Sequence, residues 1–354
     1  MTNKDVIFIN SYSRTGIGDF GDLIKRELTG KKGINIVCLE TSINWASFFS
    51  LWRRIQKSKS SIILNIGFTS FGKSPLRNFL NFVLIGFSSF MLRRKFNIIL
   101  HDSPDIISQR DSGYHFFRLM KAGGKIATFF SLRSNIYVFS YLLYEKLKQN
   151  YKVSSIMYFP FPCSNLPDVR EIDRQKRQMI LTIGYIAPYK GLEALVDLKK
   201  KTHDIDIYVV GSDHRMLSSG PEGRDYFTHL RRDLEDSNIF MPGYLDNDQI
   251  EDLLTRFNVV GILPYKYTSG SSFSAAYMVE RGLPLVTTDL PEFKKLQEMG
   301  MGIICSPRSI EELKKGINLL LSDEELYATM SKNNQTYCKK FSISNFVNVL
   351  LEGV

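Results

Sequence analysis

The sequence predicts an α/β protein made of two doubly wound domains facing a cleft. Three observations carry this. Apolar runs of strand length alternate with amphipathic segments along the chain, the pattern of βαβ units and parallel sheets. The alternation is interrupted once, by the polar, charged, Pro-bearing stretch PCSNLPDVREIDRQKR at 162–177, which reads as a linker. The chain has 354 residues, more than a single core of this kind organises.

Before the linker the apolar runs fall at 6–10, 34–39, 61–66, 97–101, 136–140 and 155–159. After it they fall at 179–184, 205–211, 238–241, 258–264, 284–288 and 302–305. The expected division is a first domain over 1–162 and a second over 163–340, with a last helix at 341–354 packing back on the first.

Hydrophobic residues make up 44% of the chain and charged residues 23%, which excludes a disordered chain. The opening MTNKD offers no apolar core for a signal peptide, and no uncharged apolar run reaches the roughly 20 residues of a membrane span. A cytoplasmic location is expected. Cys38, Cys163, Cys305 and Cys338 are scattered without a C-x-x-C pair, as reduced thiols are, rather than a disulfide framework or zinc site. The net charge of +10 is uneven: through Pro162 there are 23 Lys and Arg against 9 Asp and Glu, and beyond it 23 against 27. Such asymmetry implies that the halves meet different partners.

Residues 15–21, TGIGDFG, contain a G-x-G-x-x-G at Gly16, Gly18 and Gly21 after the run VIFIN, and Glu40 ends the next run at about the spacing of a dinucleotide fingerprint. A dinucleotide turn places its first glycine almost directly after the strand, whereas SYSRT intervenes here. We therefore read Gly16, Ile17 and Gly18 as a loop before a helix capped near Asp19, able to bring backbone amides close to a diphosphate or an acceptor. Glu40 is then a solvent residue at a strand end. A plain loop and an NAD-dependent Rossmann enzyme stay as alternatives.

Two stretches of the second half are more specific. GYIAPYKGLEALVDL (184–198) puts a strand end, a turn and Lys190-Gly191 before a helix, where a lysine can reach an anion; a solvated lysine at a turn is the alternative. GILPYKYTSGSSFSAAYMVERGLPLVTTD (261–289) runs from a strand through the Ser/Gly loop 268–272 into a helix. Its small hydroxyl residues and N–H groups suit an anion cradle, although a helix cap alone accounts for one serine.

Together these stretches resemble the donor domain of the GT-B glycosyltransferases, specifically the retaining GT4 class. The shared pattern, in order, is Gly184, Lys190-Gly191, VVG (209–211), FMPGY (240–244), LPY (263–265) and GLPL (282–285). In the first half IILHD (98–102) and SSIMYFP (154–160) are similar to strand ends of the same family, and FSISNFVNVLL (341–351) to its returning helix. The resemblance implies a GT-B fold and transfer of a sugar from a nucleotide diphosphate sugar to a saccharide or lipid-linked acceptor, in cell-surface glycan or glycolipid synthesis. It implies donor binding by Gly184, Tyr185, Lys190, Gly211, Tyr244, Ser269, Gly270, Ser271 and Ser272. It places His101 beside the transferred sugar, with Asp102 orienting it or the acceptor; a structural histidine and a helix cap are the other readings. It gives Lys190 the neutralisation of the leaving diphosphate. Two departures stand out: the family's usual E-x7-E pair aligns with Ser269 and Tyr277, and Tyr185 replaces a common Arg. Glu280, one turn away, is not assigned the missing role. A nucleotide-sugar-binding pseudoenzyme is therefore a second alternative.

No metal or other cofactor is expected. DID (204–206) alternates as a strand start, and DND (246–248) reads as a helix cap. No nucleic-acid-binding motif accompanies the basic residues, so no nucleic acid partner is expected.

Two basic aromatic stretches of the first domain, 43–57 and 77–95, flank apolar residues with Arg53, Arg54, Arg93 and Arg94. They read either as helices buried against the sheet or as a peripheral contact with an anionic membrane at its inner face. Membrane contact predicts co-sedimentation with anionic liposomes that weakens with salt. It should fall when the four arginines are replaced together by serine. Absence of binding at low salt removes the membrane contact.

Overall fold

The computed structural model describes residues 4–10, 16–40, 53, 60–67, 96–101, 134–151, 156–213, 221–267, 271–306 and 309–353. The chain divides into two compact units: Met1–Pro162 with Ser269–Ser271 and Phe341–Val354, and Cys163–Thr268 with Ser272–Lys340.

The described elements of the first unit are β1 (Lys4–Asn10), α1 (Gly16–Thr29), β2 (Ile34–Glu40), β3 (Ser61–Ile66), β4 (Phe96–Leu100), β5 (Asn135–Val138), α2 (Tyr141–Tyr151) and β6 (Ile156–Tyr158). All pairings are parallel, in the order β2-β1-β3-β4-β5-β6. Parallel sheets are covered on both faces, which is why β3 and β4 read as unbroken apolar runs.

The second unit contains β7 (Arg177–Ile183), a 3-10 turn (Pro188–Lys190), α3 (Ala194–Lys199), β8 (Asp206–Val210), α4 (Pro221–Asp236), β9 (Phe240–Gly243), α5 (Asn247–Arg256) and β10 (Phe257–Leu263). It continues with α6 (Phe273–Val279), β11 (Leu285–Thr288), α7 (Lys294–Glu298), β12 (Gly302–Cys305), α8 (Ile310–Ser322) and α9 (Glu324–Lys340). Its parallel sheet has the order β12-β11-β10-β7-β8-β9. Strand order reverses at β7 and β10, and in the first sheet at β1 and β3. Crevices at the carboxyl ends of such neighbours are where open α/β sheets hold ligands.

A final helix, α10 (Ile343–Glu352), belongs to the first unit. Ser342 caps it by accepting from the Asn345 N–H at 3.2 Å. Ile343, Phe346, Val347 and Leu350 recur at helical spacing and lie in one core with Phe8, Phe20, Ile24 and Tyr137.

Twelve strands stand where twelve apolar runs were predicted, with ends shifted by one or two residues. The run 97–101 closes as a strand at Leu100, which leaves His101 just beyond its end. Two local expectations are corrected. Gly16, Ile17 and Gly18 are not a loop: α1 begins at Gly16 rather than near Asp19. The stretch 162–177 is not a free linker. Its polar groups pin it to the second unit, with Arg170 Nε donating to Arg281 O at 2.5 Å, its backbone N–H to Ser331 Oγ at 2.7 Å, and the Asp173 N–H to Asn258 Oδ1 at 2.9 Å. Glu40 closes β2, paired with Asn10.

One acid of each D-x-D has a structural partner. Asp206 opens β8 and meets Arg177 at 2.7 Å. Asp246 caps α5 in a capping box with Gln249. The basic stretches 43–57 and 77–95 lie outside the described residues except for Arg53. No helix among the described residues is long and apolar enough to cross a membrane.

Phe346 is fully buried. Phe346→Ala is expected to cost about 3–5 kcal/mol of first-unit stability through the cavity it leaves. The readout is the lower-stability transition in urea. An unshifted transition would mean that α10 is not part of that core.

Candidate functional site

The second unit gathers its polar groups at the carboxyl ends of β7 and β10. The 3-10 turn after β7 carries Lys190 inward, leaving it 4% exposed. Its Nζ donates to Ser274 Oγ at 2.9 Å and to Ile183 O at 3.3 Å, and stands 5.5 Å from the Tyr265 ring centroid. None of these partners carries a charge. Glu193, three residues on, already accepts from Lys266 Nζ at 2.8 Å and from the Tyr226 hydroxyl at 3.3 Å. No Asp or Glu pairs with Lys190 among the side chains that are described. Among the side chains described in the second unit, this buried lysine meets only neutral partners.

Gly184 makes the arrangement possible. Its φ is 108°, and a Cβ there would come within 2.6 Å of Ser274 Oγ and 2.8 Å of Lys190 Nζ. Gly211 follows β8 and donates its N–H to Gly243 O at 2.8 Å. Tyr185 and Tyr244 follow Gly184 and Gly243 along the same sheet; Tyr185 is 40% exposed and Tyr244 78%. Ser272 caps α6 by accepting from the Ala275 N–H at 3.1 Å, which is the ordinary role of a cap. Ser271 precedes it, and Ser269 and Gly270 lie outside the described residues.

The structure adds Ser274, which sequence reading had passed over for its neighbours. The signal was present: a cap at Ser272 makes Ser274 the second residue of the helix, turned toward the strand ends.

In the first unit His101 follows β4, with its N–H bonded to Ile66 O at 3.1 Å. Its ring contacts Phe20 and Phe139 edge-on, each at 5.4 Å between centroids. Burial among these rings pulls its pKa down from the usual 6.5 to about 3, so the imidazole is neutral. Nε2 lies 2.7 Å from Asn65 Oδ1. Asn65 in turn meets Asn10, the last residue of β1. Neither asparagine was singled out in the sequence, although each is a lone amide near the end of an apolar run. Asp102 lies outside the described residues.

Residues 168–337 match the model of the family described as glycosyl transferases group 1. Over those residues the chain is similar to that family. An uncharacterized glycosyltransferase of Haemophilus influenzae is 26% identical over 208 residues, a match that spans 56% of this chain and 55% of that relative. The solved structure of Anabaena HepE with UDP superposes with a TM-score of 0.72 at 14% identity, covering 99% of this chain and 98% of that one. Sucrose-phosphate synthase from Thermosynechococcus elongatus gives the same TM-score, identity and coverage. At these identities the likeness shows the fold, which is GT-B.

Of the two positions at which the resemblance leads one to expect an acidic pair, Ser269 lies outside the described residues and Tyr277 stands in α6. The Tyr277 hydroxyl donates to Asn247 Oδ1 at 2.8 Å, and its ring lies 3.4 Å beneath the Arg281 guanidinium carbon. Arg281 also donates to Asn247 Oδ1 at 2.9 Å and pairs with Glu251 at 3.3 Å. Glu280 is committed elsewhere: it accepts from the Ser164 N–H at 2.5 Å and from its hydroxyl at 3.2 Å. Burial raises its pKa, and these hydrogen bonds oppose the rise. It fastens the start of the inter-unit segment rather than replacing the acidic pair.

An uncompensated buried ammonium costs folding energy, so Lys190→Met is expected to fold within about 1 kcal/mol of the parent. It should lose the rise in melting temperature that UDP produces in the parent. A large destabilisation with UDP binding retained would make Lys190 a structural residue.

Proposed function

We propose that this chain is a glycosyltransferase that moves a sugar from a nucleotide diphosphate sugar to a saccharide or lipid-linked acceptor, with retention of anomeric configuration. The observation that carries the reading is Lys190, buried with no described carboxylate beside it at the strand ends where order reverses. A diphosphate supplies the missing negative charge. As the bond from the anomeric carbon to the diphosphate breaks, charge grows on the departing oxygen, and a preorganised ammonium stabilises it. In the retaining course the diphosphate leaves on the face from which the acceptor hydroxyl attacks. Ser274 holds the ammonium in place through its hydroxyl. Solved structures with UDP and with UDP-glucose exist for the Anabaena protein of the same fold, which favours a uridine nucleotide as the first donor to try.

Tyr277, standing where the family has an acid, favours a second reading: a protein that binds a nucleotide sugar without transferring it. The NAD alternative loses its motif. Gly16 and Gly18 lie inside the first turn of α1, and Gly21 packs against the asparagine amides. The lipid-linked acceptor and a place at the inner membrane face are inferred from the basic excess of residues 1–162.

A thermal-shift panel of UDP-, GDP- and ADP-sugars with NAD tests the class. One nucleotide sugar should stabilise the chain, by about 2.7 kcal/mol at a hundredfold excess over its Kd, and NAD should not. Stabilisation by NAD alone would overturn the reading. Release of nucleoside diphosphate from the stabilising donor separates enzyme from binder. Lys190→Ala should lower that turnover roughly 10²–10³-fold.

A further inference from the structure

The polar groups around His101 determine the position of its proton. Backbone carbonyls only accept hydrogen bonds. Asn65 Nδ2 lies 2.8 Å from Ile17 O, and Asn10 Nδ2 lies 3.0 Å from Gly18 O, so both amides are oriented without ambiguity. Asn65 Nδ2 gives its other proton to Asn10 Oδ1 at 2.8 Å, and Asn10 Nδ2 reaches Asp22 Oδ1 at 3.2 Å. Asn65 Oδ1 is left facing His101 Nε2 at 2.7 Å. An amide oxygen cannot donate, so Nε2 carries a proton. In the neutral ring the lone pair is then on Nδ1.

The surroundings protect this chain of bonds. Asn65 is fully buried and Asn10 nearly so. Gly21, the last glycine of GIGDFG, abuts both amides. A Cβ there would collide with Asn10 Oδ1 and come within 2.6 Å of Asn65 Nδ2. The first turn of α1 supplies the two carbonyls that orient the amides. Gly21 thus has a physical purpose in this protein: it lets α1 close on an asparagine pair.

We propose that Asn65, backed by Asn10, is a positioning residue that holds His101 as the Nε2–H tautomer, so that Nδ1 accepts a hydrogen bond from a hydroxyl of the ligand. The choice of a sugar or acceptor hydroxyl rests on the glycosyltransferase reading; the tautomer does not. In this role His101 is an acceptor that orients a hydroxyl. It does not carry a proton away from the acceptor, because a ring that stays neutral down to about pH 3 is too weak a base. It also adds no positive charge to the diphosphate.

Ring ¹⁵N spectra of ¹⁵N-histidine-labelled protein between pH 5 and 8 test this, with His101 assigned by loss of its signals in His101→Gln. The parent should show a neutral ring protonated at Nε2 and unchanged across the range. A ring protonated at Nδ1, or one titrating near 6.5, would overturn the proposal, and neither outcome depends on any transferase assay. Asn65→Leu should give a mixture of tautomers and lower turnover about 10–100-fold, the scale seen when an imidazole loses its orienting partner. UDP affinity should be preserved. Asn65→Asp keeps an oxygen against Nε2 and adds a negative charge. It should retain the Nε2–H form while bringing the ring's titration into the measured range. If either variant fails to fold, the parent spectrum still decides. If no nucleotide sugar binds, the ligand assignment falls and the tautomer stands.

Discussion

The ammonium of Lys190, held between a hydroxyl and a backbone carbonyl, is the interaction on which the second unit's edge depends. Removing a charge from water is expensive unless another charge or strong hydrogen bonds replace the solvent. Here the replacements are neutral and incomplete. Several local features exist to keep the arrangement in place. The 3-10 turn directs the side chain back toward the end of β7. Gly184 gives up its side chain so that the strand end, the lysine and Ser274 can share one space. Ser272 starts α6 where Ser274 meets Nζ. A structure optimised for stability alone would put an apolar side chain at this position.

In the first unit the described polar groups nearest His101 are asparagine amides, with the Asp22 carboxylate behind them. The strand order of this unit also changes, at β1 and β3, and the residues at those strand ends are amides. Amides bring both donors and acceptors into a dry site at no charge. Chained together they transmit orientation from the rigid first turn of α1 to His101.

The strands were legible because parallel sheets buried on both faces write their strands as apolar runs, and the intervening helices as amphipathic ones. Lys190 and Gly184 were legible because the turn between them has a recognisable composition. Ser274 was not, because a row of serines does not say which hydroxyl is spent on a helix cap and which one points inward. Asn10 and Asn65 were hidden for a different reason: they are 55 residues apart and become neighbours only through sheet register. GIGDFG misled because glycine spacing alone cannot distinguish a backbone that approaches a ligand from a helix that approaches its own sheet. The glycines do mark a close approach, and for Gly21 the approaching atoms belong to Asn10 and Asn65.

The missing acidic pair is best weighed by what an acid can do near a diphosphate. A carboxylate does not neutralise a departing diphosphate; it accepts hydrogen bonds from hydroxyls. Under the proposed reading, its replacement would bear on how the nucleoside or sugar is held rather than on neutralising the diphosphate. Tyr277 is itself part of a built network, with its hydroxyl on Asn247 and its ring under Arg281, which in turn pairs with Glu251. Burial raises the Tyr277 pKa, so it stays a neutral phenol. A carboxylate at 277 would draw Arg281 away from Glu251, since one guanidinium would face two acids. The substitution and its neighbours are thus mutually consistent.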